Sequence, residues 1–213
     1  MGRARAVAEI VAVTAGGGGQ DDVGHLGGRG PELRVEDHRR GLAPGEPQPS
    51  LELGLIGNCT FNALIDRAGT VVWCCMPRPD GDPVLHALLG KAASNGVTGR
   101  FAIEIDDPVE SRQRYVPNTA ILETTLIDRA GNVAQITDFA PRFSDRGRTF
   151  QPLLMVRRIR PVQGHPTFRL RLDPGFDYGA RRPEITRGSH HVRYVHAGQS
   201  VRLTAALPII HAP

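Results

Sequence analysis

Lysine is nearly missing from this chain. One lysine, Lys91, stands among 26 basic residues in 213, and the formal net charge is +4. The arginines are dispersed: in FRLRLD (168–173) they alternate with Phe168, Leu170 and Leu172, the outward phase of a solvated strand. A nucleic-acid surface needs its cations gathered in one patch beside exposed aromatics, so no nucleic-acid partner is expected. Long apolar runs are also missing. No segment approaches the roughly 18 apolar residues that span a bilayer, so no membrane partner is expected. Cysteine is rare, with only Cys59, Cys74 and Cys75. An odd number without paired C-x-x-C spacing makes neither a disulfide framework nor a zinc site. The expectation is buried, reduced thiols in a cytoplasmic protein. Adjacent His190 and His191 diverge on a strand and do not readily share one metal. No metal and no cofactor are expected.

The first fifty residues lack a sustained apolar period. They contain the run Gly16–Gly19 and close on GLAPGEPQPS. Such a stretch buries too little apolar surface to offset about 1–2 kcal/mol of backbone ordering per residue. Residues 1–49 are therefore expected to be mostly disordered, or an over-extended start of the reading frame. A signal peptide is the competing reading, because Arg3 and Arg5 precede IVAVTA, but that run is short and Glu9 interrupts the approach to it.

Residues 51–213 carry enough Val, Ile, Leu and Phe for one β domain. The same punctuation occurs twice, in LIDRAGTVVW (64–73) and LIDRAGNVAQ (126–135). Asp opening a type I turn accepts backbone hydrogen bonds, and a left-handed Gly closes it into a bulged hairpin. Ala63–Ile65 should pair with Val71–Trp73, and Ile121–Ile127 with Val133–Phe139. The recurrence is turn chemistry, a signal of fold and not of catalysis. Further strands are expected in 99–106, 153–161, 168–174, 191–198 and 200–208, the last two paired. About nine short strands at this spacing predict a mainly β protein, an antiparallel β-sandwich. One short helix is expected near 82–89, capped by Asp82, begun by Pro83 and ended by Gly90.

The segment LGLIGNCTFNALIDRAGTVVWCCMPRPDGDPVLHALLG (53–90) carries a longer pattern. Ile56-Gly57-Asn58-Cys59, Ala63–Arg67, Gly69, Trp73, Cys75, Pro77-Arg78, Asp80, Pro83 and Leu88–Gly90 stand in order. Arg114-Tyr115, Pro117–Thr119, Leu122–Thr124, Thr137–Phe139 and Phe176–Gly179 follow. Together they resemble the opening of bacterial glycoside hydrolase family 15, the glucoamylase-like and trehalase-like enzymes, in their N-terminal trehalase-like domain. Two departures occur: Pro79 stands where the family has Phe, and Gly81-Asp82 where it has Ser.

The resemblance implies a supersandwich-like domain that serves as scaffold for an (α/α)6 catalytic barrel. The family's chemistry is inverting hydrolysis of α-glucosides by two glutamates, and by resemblance both lie in that barrel. No residue of this chain inherits a catalytic role, and the chain is expected to be truncated and inactive alone. The loop 77–83 is expected near the barrel mouth, where Arg78 hydrogen-bonds a sugar hydroxyl or a barrel carboxylate and Asp80 orients it. The competing reading is that Arg78 and Asp80 only pair to hold the loop. Asp80 and Asp82 are not read as an acid–base pair, since turn formation and helix capping account for them. Trp73 is expected in the core rather than as a sugar platform. The partners implied are the barrel and an α-glucoside at the domain interface. A stand-alone carbohydrate-binding sandwich is the alternative. Such modules display several exposed rings, whereas this chain has seven Phe, three Tyr and one Trp, mostly in core phase. A third reading is a decayed remnant whose uncovered surface aggregates.

Overall fold

The structure, a computed structural model, describes residues 9–15, 33–36, 51–90, 96–206 and 209–212. Its strands run β1 (Glu9–Ala15), β2 (Leu33–Glu36), β3 (Gly54–Gly57), β4 (Asn62–Ile65), β5 (Val71–Cys75) and β6 (Pro83–Leu85). They continue as β7 (Arg100–Ile105), β8 (Pro108–Tyr115), β9 (Leu122–Asp128), β10 (Val133–Phe139), β11 (Phe143–Asp145) and β12 (Arg148–Phe150). The last six are β13 (Leu154–Gln163), β14 (Phe168–Asp173), β15 (Glu184–Arg187), β16 (His191–His196), β17 (Gln199–Ala205) and β18 (Ile209–Ala212).

One sheet has the order β15-β16-β17-β1-β13-β10-β9-β8. The other has β18-β2-β14-β7-β5-β4-β3, with β6 beside β5, and β11-β12 form a separate two-stranded arm. The pairings are antiparallel except those of β2 with β14 and β18. The protein is mainly β, as the alternating pattern requires. On β9, Leu122, Thr124, Leu126 and Asp128 face inward, and on β14 Phe168, Leu170 and Leu172 do so. Inward residues from both sheets, among them Ile65, Phe101, Ile103, Leu122, Ile136, Met155, Leu170 and Leu203, make one continuous core.

Both repeated turns form as expected. Ala63 pairs with Cys74 and Leu64 with Trp73, while Ile127 pairs with Val133 and Leu122 with Asp138. Asp66 accepts from Thr70 N–H at 2.8 Å and Asp128 from Asn132 N–H at 2.8 Å. Gly69 and Gly131 then turn the chain at φ of 80° and 81°, where a side chain is disfavoured.

Several expectations need correction. The helix near 82–89 is absent: residues Pro83–Leu85 are β6, and only Ala87–Leu89 wind one 3₁₀ turn. Its N-cap is His86, without a side-chain cap, so Asp82 caps nothing; Gly90 does end the turn, at φ 74°. Short-range periodicity lost to tertiary pairing here, because Leu85 gains a ladder partner in Cys74. Second, Cys59 is exposed although Cys74 and Cys75 are buried. Within the stretch 1–49, β1 pairs with β13 and β17, and β2 with β14 and β18. The remainder of 1–49 lies outside the described residues. β13 also runs past Pro161 to Gln163, through a register shift opposite Val133 and Ala134. Trp73 is partly exposed, the one such residue of β5.

Candidate functional site

Strand register gathers the longer loops at one end of the sandwich. Gly57 of β3 lies opposite Asn62 of β4, and Ala63 opposite Cys74, so the turn 58–61 and the loop 76–82 leave from the same side. Phe139 of β10 lies opposite Val156 of β13, which places the arm β11-β12 on that side of the other sheet. The loop after β14 and the turn between β16 and β17 complete the group, since His196 meets Phe176 at 5.5 Å between ring centroids. The two Asp-Arg-Ala-Gly turns sit at the far ends of their sheets.

The loop end is braced from within. Asn58 is 3% exposed, and its Nδ2 donates to the Pro141 carbonyl at 2.9 Å and the Pro152 carbonyl at 2.8 Å. Its Oδ1 accepts from Thr60 N–H at 3.0 Å, and Thr60 Oγ1 donates to the Gln151 carbonyl at 3.1 Å. One amide thus clamps both feet of the arm. At the arm's base Phe143 and Phe150 pair across the strands and stack at 5.4 Å, yet both remain well exposed. Cys59 sits beside it at φ 72°, its sulfur 3.7 Å from Arg142 Nη1.

Arg78 and Asp80 are together, on the surface. Arg78 Nε donates to Asp80 Oδ1 at 2.9 Å and Nη2 to Oδ2 at 2.7 Å. The guanidinium holds the Asp80 carboxyl below its ordinary value, and Asp80 raises Arg78 in turn. Both oxygens of Asp80 are occupied, and the pair is open to water. Asp80 is therefore set up as an ionised orienting group and not as a proton donor.

Between the sheets lies a second polar cluster. Arg157 has no solvent exposure, and its Nε donates to Asp138 Oδ1 at 2.8 Å and Nη2 to Oδ2 at 3.1 Å. Nη1 donates to the Phe101 carbonyl at 2.8 Å, Nη2 also donates to the Gly69 carbonyl, and the guanidinium carbon sits 4.6 Å from the Phe101 ring centre. Burial pushes the Asp138 carboxyl up while Arg157 opposes the rise. Four of the five guanidinium N–H groups are thus bonded within a site closed to water, so this cluster joins the sheets and is not placed to meet a substrate. Tyr194 of β16 adds a second bridge, donating to the Leu172 carbonyl of β14 at 2.9 Å.

Arg157 and His86 were not singled out by sequence reasoning. Alternation on β13 does put Arg157 in phase with Met155 and Ile159, and that phase was the available signal. Among the described residues no group of three or more His, Cys, Asp or Glu converges as metal ligands, and no helix is long and apolar enough to cross a membrane. A cleft of about 300 Å³ near the first repeated turn is lined by Thr70, Ile103, Glu104, Val109, Glu110 and Leu126. Its two carboxylates are paired, Glu104 with Arg171 and Glu110 with Arg112.

The fold and its loop-bearing end define an antiparallel β-sandwich domain whose sheets are joined through the buried Arg157 guanidinium. The family described as trehalase-like, N-terminal, matches residues 36–207, and the chain belongs to it. The trehalase of Mycolicibacterium smegmatis is 30% identical over 142 residues, 61% of this chain and 21% of that protein. Trehalase 1 of Sulfolobus acidocaldarius is 32% identical over 145 residues, 67% of this chain and 22% of that protein. The trehalase of Thermoplasma volcanium is 26% identical over 159 residues, 73% of this chain and 24% of that protein. The chain thus matches about a fifth to a quarter of the length of these curated relatives. No solved structure matches it significantly.

Proposed function

We propose that this chain is the accessory sandwich of a cytoplasmic trehalase- or glucoamylase-type hydrolase of glycoside hydrolase family 15, a scaffold for an (α/α)6 barrel that carries the catalysis. The observation that carries this reading is the share of the relatives matched: the similarity to each trehalase is confined to about a fifth to a quarter of its length. Inverting hydrolysis needs an acid and a base about 6.5–9.5 Å apart across the sugar, held where bulk water is excluded. The exposed, mutually paired Arg78 and Asp80 do not meet that requirement. They suit a lesser role, Arg78 donating to a sugar hydroxyl or a barrel carboxylate while Asp80 fixes its angle. The braced arm with its exposed Phe143 and Phe150 suits contact with a partner. Free thiols at Cys59, Cys74 and Cys75 fit a reducing compartment.

The test is substitution of this chain for the matched segment of the M. smegmatis trehalase. Glucose release from trehalose by the hybrid, with none from the chain alone, is the expected result. Turnover by the chain alone would overturn the reading, and so would a folded hybrid that stays inactive.

A further inference from the structure

The loop 174–181 pairs a rigid base with an exposed tip. Phe176 is 3% exposed and exchanges two backbone hydrogen bonds with Arg181, both at 3.1 Å. Gly175 N–H donates to the Val84 carbonyl at 3.0 Å, and the buried His86 ring packs so close that a Cβ at Gly175 would lie 2.6 Å from Nε2. Above this base Asp177 and Tyr178 both adopt left-handed backbone, at φ of 50° and 54°. Two successive non-glycine residues there are uncommon, and such conformations persist where the surroundings over-determine them. The result is a tip presented outward, with Tyr178 54% exposed.

Two donors flank the tip. Arg181 Nε lies 3.8 Å and His196 Nε2 3.9 Å from the same oxygen of Asp177. Both are loose ion-pair contacts, longer than a hydrogen bond, which leaves room for a small polar ligand to hydrogen-bond the carboxylate and the two ring and guanidinium nitrogens together. His196 is held from beneath by Phe176. An open aromatic ring beside an acceptor and two donors matches one chemical class well. A pyranose has an apolar face for the ring and vicinal hydroxyls that both donate and accept. The central carboxylate disfavours phosphate and other anions.

We propose that this tip is a subsite for a glucopyranose unit: Tyr178 stacks on the sugar face, Asp177 accepts from its hydroxyls, and Arg181 and His196 donate to them. The choice of glucose rests on the accessory-domain reading above. The subsite lies at the same end of the sandwich as the loop that carries Arg78 and Asp80.

The test is saturation-transfer NMR and calorimetric titration of the full chain with trehalose, with maltose and inorganic phosphate in parallel. Tyr178→Asn and Asp177→Asn are the variants, because Asn tolerates the left-handed backbone. Trehalose binding weakened at least about tenfold in Tyr178→Asn, a loss of about 1.4 kcal/mol, is the expected result. Binding of maltose alone, lost in both variants, would support the subsite while counting against a trehalase-type substrate. Three outcomes overturn the proposal: no binding of either disaccharide, binding indifferent to both substitutions, or phosphate binding more tightly than sugar.

Discussion

Arg157 and Asp138 face each other from neighbouring strands, both side chains wholly withdrawn from water. The pair does more than neutralise itself, because the same guanidinium reaches the carbonyls of Phe101 in the opposite sheet and of Gly69 in that sheet's β4–β5 turn. Removing one partner leaves a buried charge without compensation, which costs about 3–5 kcal/mol. Against a total of about 5–15 kcal/mol for a domain, Asp138→Ala should shift the urea midpoint severely. The double change Asp138→Leu with Arg157→Met should cost less than the sum of the single changes. Near-neutral single variants would show that the cluster does not join the sheets.

A different buried group is expected to contribute to the acid sensitivity. His86 is 2% exposed, its Nε2 lacks a hydrogen-bond partner, and a Cβ at Gly99 would fall 2.5 Å from its ring. Burial holds the imidazole below its ordinary value, and the nearby Asp173 opposes this only in part. The unfolded chain takes up the proton near pH 6.5, the folded one only at lower pH. Between those values the unfolded state binds more protons, so stability falls as pH drops below about 6.5 and levels off beneath the folded value. His86→Gln should flatten that fall between about pH 7 and about pH 5, as urea midpoints would show. An unchanged slope would assign the acid sensitivity to other groups.

The two hairpins were legible because their information is local: Asp66 and Asp128 bond backbone amides four residues on, and Gly69 and Gly131 finish each turn. The segment after Cys75 was not, because Val84 and Leu85 satisfy a helical pattern and a strand equally well. Only the arrival of β5 alongside decides between them. The buried ion pair was half legible. Asp138 follows Ala134 and Ile136 in the inward phase of β10, and Arg157 follows Met155 in that of β13. Each charge alone reads as a strand irregularity; their register as partners makes them a pair. The loop end, built from segments more than a hundred residues apart, had no local signature. Arg78 and Asp80 were found together because they are two residues apart.

Sheet edges carry a further prediction. Tyr115 of β8 spans the gap between the sheets, its hydroxyl accepting from Leu55 N–H at 2.7 Å and donating to the Leu55 carbonyl at 3.0 Å. One phenol therefore occupies both outward backbone groups of that residue on the edge strand β3. Exposed edge groups of this kind recruit further strands. Tyr115→Phe should cost about 1–2 kcal/mol for the two bonds and raise concentration-dependent association. Sedimentation velocity across a dilution series checks this, and a variant as monodisperse as the parent would refute it.

At the arm one side chain likewise holds two separate backbone groups. Asn58 Nδ2 supplies the donors that hold the Pro141 and Pro152 carbonyls, one at each foot. Asn58→Ala leaves both acceptors unpaired in a part-buried setting, a loss of about 1–3 kcal/mol. Asn58→Asp is the sharper probe: it keeps the shape and the acceptor for Thr60, but an ionised carboxylate has no hydrogen to give and turns an oxygen toward two carbonyls. If the clamp works through donation, the Asp variant should be at least as damaging as Ala. Trypsin reports on it directly, since Arg142, Arg146 and Arg148 lie in the arm and its base, and cleavage there should quicken in both variants before the rest of the domain yields. Equal cleavage rates in parent and variants would mean that the arm is held by its own stacked Phe143 and Phe150, and that Asn58 merely fills the space beneath it.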